Sequence, residues 1–189
     1  MSQATLLGSG GGGSTTAITY TDLSKQTASS SSAIAFTGFL NVKYSYYVLA
    51  IRNVIPSNNA TQLLMQWSTN AGSTYIATAY QWAQVYANSS GGFGSNENSN
   101  DTSMRIQDAM NNNGTATLNC DIKLYNLGST SVSPIFRNDG ALIDSGNFFG
   151  LSLSTGGLTG VNNINALKMF MSAGTISSGT FTLYGVQES

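Results

Sequence analysis

A chain of 189 residues with a formal net charge of -1 is long enough for one domain with a sizeable core. Hydrophobic residues make up 41%, which argues against disorder, while charged residues are only 8% where about 25% is usual, and no basic footprint for nucleic acid is present. The lack of histidine and the single cysteine, Cys120, exclude Ser-His-Asp and Cys-His catalysis, zinc-finger ligand sets and internal disulfides.

The first residues, MSQATLLGSGGGG, carry neither a basic region nor a long apolar stretch, so they do not read as a secretory signal. No run approaches the ~18 apolar residues of a membrane-spanning helix. These features predict a soluble protein made in a cytoplasm, with no membrane insertion. Residues 8–14, GSGGGGS, form the one clear shift in composition, and glycine-rich segments are flexible. Residues 1–14 therefore read as an anchoring arm ahead of a β-domain spanning 15–189. Leu6 and Leu7 are the candidate docking pair, and Gly10, Gly11, Gly12 and Gly13 the tether to a partner chain.

From residue 15 onward the apolar pattern has period two. Ala17–Leu23 and Ala33–Phe39 read as short strands separated by the polar run TASSSS. Lys43–Asn53 is apolar on both faces in its middle, as a central strand would be. Thr61–Ser68 places Leu63, Met65 and Trp67 on one face, and Asn70-Ala71-Gly72-Ser73 turns the chain into Thr74–Tyr86. Residues 88–101, NSSGGFGSNENSND, read as a long polar loop with Phe93 stranded in it. Met104 and Ile106 leave a short strand and a helical turn both open. Ala116, Leu118, Cys120, Ile122 and Leu124 then alternate cleanly with polar neighbours, so Cys120 reads as a small core residue. Val132–Arg137 and Phe148–Leu153 flank the turns Asn138-Asp139-Gly140 and Ser145-Gly146-Asn147. Ile164–Met171 and Thr180–Val186 complete nine to eleven strands. With no amphipathic helix to cross over, the fold expected is an all-β, antiparallel, jelly-roll-like sandwich. In such folds a late strand inserts beside an early one. Phe181 and Leu183 should then face the core, with Gly179 and Gly185 where the strand turns or meets another backbone closely.

Little here suits chemistry. Asp139 and Asp144, or Glu97 and Asp101, could be weighed as a glycosidase pair, and Glu97, Asn98 and Asp101 as calcium ligands. Both pairs lie outside any aromatic or basic cluster, and keeping turns soluble is the simpler role. Glycines 10 to 13 are not a phosphate loop, because no Lys-Ser/Thr and no helix follow. No enzyme activity, cofactor or metal is expected. The aromatics Tyr44, Tyr46, Tyr47, Trp67, Tyr75, Tyr80, Trp82 and Tyr86 could stack on sugar rings from an outer face. Core filling and subunit contact is the more common use of such side chains.

Three stretches, FTGFLNVKYSYYVLAIRNVIP, LLMQWSTNAGSTY and GTISSGTFTLYGV, carry a further signal. A Tyr-rich strand, an Asn-Val-x-Pro turn, a Ser-Thr hairpin and a Gly-Thr-Phe-x-Leu-Tyr-Gly strand resemble small virion proteins of tailed bacteriophages. The resemblance runs from about residue 28 to the end, in outline only over residues 88–165, and Asn70-Ala71-Gly72 stands where Asp-Gly-Gly is more usual. It implies a β-sandwich without enzyme activity, located in the virion as a capsid decoration (cement) protein or a short tail or head fibre. The implied partners are further copies of itself as a homotrimer, and virion proteins such as the major capsid protein or a tail adaptor. A carbohydrate-binding module for a host surface glycan is the alternative.

Overall fold

The computed structural model describes residues 3–6, 17–40, 44–160 and 163–188. Thirteen strands and no helix are found among them: β1 (Gln3–Leu6), β2 (Ile18–Ser31), β3 (Ile34–Thr37), β4 (Tyr46–Pro56), β5 (Thr61–Ser68), β6 (Tyr80–Asn88), β7 (Phe93–Asp101), β8 (Met104–Met110), β9 (Leu118–Tyr125), β10 (Ile135–Ile143), β11 (Phe149–Leu158), β12 (Ala166–Met171) and β13 (Ile176–Glu188). They form two antiparallel sheets. One has nine strands in the order β1-β2-β13-β4-β9-β10-β11-β6-β7, and the other four in the order β3-β12-β5-β8. The sheets pack as a sandwich, with Leu49, Ile51, Ile122, Phe136, Phe181 and Leu183 of the larger meeting Phe36, Leu63, Met65, Trp67, Ile106 and Met169 of the smaller.

The expected closing strand is present and central. β13 pairs with β2 on one side and β4 on the other, so Phe181 and Leu183 are fully buried while Thr180, Thr182 and Tyr184 face outward and are partly exposed. Gly179 has φ +129°, and a Cβ there would stand 2.8 Å from the Cα of Val54, so the close backbone approach admits no side chain. At Gly185 the ring of Tyr44 occupies the same space at 2.6 Å. Cys120 is free and buried in the core.

Several expectations change. All but the last residue of the polar run TASSSS is part of β2, and Thr74–Tyr86 becomes a strand only from Tyr80. Residues 88–101 are not a long loop: Phe93–Asp101 forms β7 along the outer edge of the larger sheet, paired with β6 alone. An edge strand that fully buries none of its side chains needs no apolar alternation, and charged or polar side chains there discourage pairing with foreign strands. Met104 and Ile106 resolve as strand β8. Asn138-Asp139-Gly140 is not a turn but the middle of β10, because Asn138 points inward and its Nδ2 donates to the Ile106 carbonyl at 3.1 Å.

Candidate interaction face

The outer face of the nine-stranded sheet carries three zones side by side. The first covers β2, β13, β4 and β9. Antiparallel registers set Val186 beside Tyr20 and Tyr46, and Tyr184 beside Val48. The rings of Tyr20 and Tyr184 meet edge to face at 6.2 Å, and those of Tyr46 and Tyr125 lie 5.5 Å apart. Under this quartet Val48 and Val186 are buried although they point away from the core. Burial, together with a hydrogen bond to Tyr20 that favours the neutral phenol, pushes the Tyr46 phenol up to about 12.

The second zone is ionic and lies across β4, β9 and β10. Arg52 Nη2 meets Asp121 Oδ1 at 2.7 Å, and Arg52 Nη1 also donates to the Cys120 carbonyl at 2.8 Å. Lys123 stands beside Arg137, and Asp121 beside Asp139, so like charges face each other across the strands and opposite charges alternate along them. Such exposed pairs contribute little stability, about 0–1 kcal/mol.

The third zone, on β10, β11, β6 and β7, is apolar. In β11 the alternation is inverted. Phe149, Leu151 and Leu153 point to solvent, while Ser152 and Ser154 between them point into the sandwich. In β6 Gln84 is buried and Val85 exposed. Phe93 on β7 is 79% exposed and Phe149 74%, which is unusual for rings of this size. The inversion is held from inside. Ser154 Oγ and Asn138 Nδ2 both donate to the Ile106 carbonyl at 3.1 Å, and Ser152 Oγ donates to Gln107 Oε1 at 2.6 Å. A one-residue slip of β11 would exchange its two faces. It would also take Ser152 from Gln107 Oε1 and Ser154 from the Ile106 carbonyl, and each buried polar group left without a partner costs about 1–3 kcal/mol.

The sequence-derived candidates are distributed elsewhere. The Leu6 backbone pairs with Ile18 in the β1–β2 ladder, whereas Leu7 and Gly10, Gly11, Gly12 and Gly13 lie outside the described residues. Asp144 caps its own hairpin: Oδ1 accepts from the Gly146 and Phe148 amides, and Oδ2 from Asn88 Nδ2 at 2.7 Å. Asp139 points to solvent from mid-strand on β10, and five residues of extended chain set the two roughly 16 Å apart, beyond the ~5–9.5 Å of a glycosidase pair. Asp101 accepts from Trp82 Nε1 at 2.9 Å, and Glu97 faces solvent from the middle of β7. Among the described residues no three Cys, Asp or Glu side chains gather as a metal site. Tyr47, Trp67, Tyr80 and Trp82 are core residues, and Tyr46 belongs to the outer quartet.

The outward apolar residues are the ones sequence reasoning misses, because period two alone does not say which face is wet. The Phe-Gly-Leu-Ser-Leu-Ser run holds a usable signal: its interleaved residues are all small, too small to cover a sheet face open to water. Compared with known proteins, the chain matches no family model, no curated protein and no solved structure.

Proposed function

We propose that this chain is a non-enzymatic structural component of a tailed-phage virion surface, of the capsid-decoration or short-fibre kind, that works by being covered with other protein. The observation that carries this is the apolar outer face on inverted strands, since a solitary protein in water keeps such patches small. The three sequence stretches described above supply the virion context. Residues 1–14 serve as the anchor. Peptide mass spectrometry of purified particles should find this chain at stoichiometric abundance, and purified protein should rebind particles that lack it. Deleting residues 1–13 should leave the melting temperature within a few degrees and abolish rebinding. Absence of the chain from purified virions would overturn the reading.

A second reading, recognition of a host surface glycan, draws support from the tyrosine quartet, whose phenols and ring edges lie on an accessible face. Saturable binding of the isolated protein to a glycan array, lost in Tyr20→Ala, would favour it. Binding unchanged by that substitution would remove the quartet from consideration.

A further inference from the structure

We propose that the apolar zone on β6, β7, β10 and β11 pairs with the same zone of a second copy, around a two-fold axis parallel to the strands. The area is sufficient. Phe93, Phe149, Leu151, Leu153 and Val85 are between 38% and 79% exposed. Together they offer on the order of 500 Å² of apolar surface, and with a polar rim this approaches the ~800 Å² per partner of a stable interface.

The registers supply the complementarity. Across the sheet, from β7 through β6 and β11 to β10, the outward residues fall into rows. One row reads Glu97, Ala83, Thr155, Arg137; the next Ser95, Val85, Leu153, Asp139; the third Phe93, Ala87, Leu151, Ala141. A two-fold axis along the strands, between β6 and β11, keeps each row facing itself and reverses its order. Phe93 of one copy then lies over Ala141 of the other, and Leu151 over Ala87. Val85 meets Leu153, and Glu97 meets Arg137. Each contact occurs twice, large side chain against small in the third row and opposite charges at the rim.

An axis across the strands fails this test, because it would set Phe93 against Glu97 and Leu151 against Thr155. Within one chain Glu97 and Arg137 stand three strands apart, roughly 14 Å, too far to pair. Neither has an ion-pair partner among the described residues. Two sheets facing each other at about 10 Å leave room for such side chains to interdigitate. Both ends of the row are completed only by a second copy. The resulting pair is two-fold, in place of the trimer expected from the resemblance.

Sedimentation equilibrium of the full chain at micromolar concentration tests this. The wild type should be dimeric. Leu151→Glu, at a site already exposed and so compatible with folding, should weaken association at least 100-fold with unchanged circular dichroism. Glu97→Arg and Arg137→Glu should each weaken it about tenfold or more, and the double exchange should return it to within about threefold of wild type. A monomer at 100-fold higher concentration, a trimer, or a double exchange no tighter than the single ones would overturn the proposal.

Discussion

Replacing Phe181 by alanine is the sharpest probe of how the sandwich is held. Its ring is fully buried in the strand that joins β2 to β4, directly beside Ile51 in the ladder. Removing the ring forfeits its transfer free energy and leaves a cavity that the two flanking ladders hinder from collapsing, for a cost of about 3–5 kcal/mol. Against a total stability of ~5–15 kcal/mol that is about a fifth or more of the folded state's margin. At roughly 2–4 °C per kcal/mol for a chain of this size, the melting temperature should fall by about 6–20 °C. Urea unfolding followed by tryptophan fluorescence should show a lower midpoint with an unchanged slope, the mark of lost stability rather than an altered denatured state. Thr182→Ala, one residue along on the outward face, is the control and should cost about 0.5–1 kcal/mol. If Phe181→Ala costs no more than Thr182→Ala, the ring does not fill the core and the closing role assigned to β13 is wrong.

Burial raises the Tyr80 phenol to about 12 against its hydrogen bond with the Trp67 backbone, and Tyr46 is raised to a similar value. Because the folded values lie above the ordinary 10, this stabilisation is complete below pH 10 and is lost as pH climbs from 10 through about 12. Urea midpoints measured across that range should fall, and Tyr80→Phe should flatten part of the decline; an unchanged slope would remove Tyr80 as a cause. Burial, then the nearby Asp121 carboxylate, push the Cys120 thiol up, so a maleimide should label it only after unfolding, and rapid labelling of native protein would contradict its place in the core. Gly179→Ala should destabilise by about 1–3 kcal/mol through strain at positive φ and collision with Val54, and a neutral effect in thermal melts would show that the backbone there relaxes freely.

The strands legible in the sequence are those whose two faces differ. β9 alternates from Leu118 to Leu124 with one side buried, and β13 announces itself through Phe181 and Leu183, so the existence of both is legible from pattern, although β13 extends from Ile176 to Glu188, beyond the expected Thr180–Val186. β7 is hidden because an edge strand with no fully buried side chain carries no apolar period; its ladder with β6 defines it. β10 was obscured by Asn-Asp-Gly, a strong turn signal that loses here because Asn138 finds a buried carbonyl on the opposite sheet. The outer face was the least legible. Phe149, Leu151 and Leu153 have the spacing of a buried stripe, and what turns them outward is a set of polar contacts to β8, more than 40 residues away in sequence for Ser152 and Ser154. Local pattern carries the period of a strand, while the choice of wet face is made by distant partners.

The way β13 is inserted also bears on how fast the protein reaches its native state. β2 reaches the body of the larger sheet only through β13, with Ile18 opposite Glu188 and Thr27 opposite Thr180. Those pairings close loops of more than 150 residues before any of their hydrogen bonds can form. The entropy of such closures enters the barrier in full, whereas the stabilising contacts arrive only afterwards. Refolding from denaturant should therefore be slow, on the millisecond-to-second scale of proteins dominated by distant pairings. The segment from β4 to β12 should gain protection from hydrogen exchange first, and the β1–β2 ribbon last, once β13 has given it an edge to join.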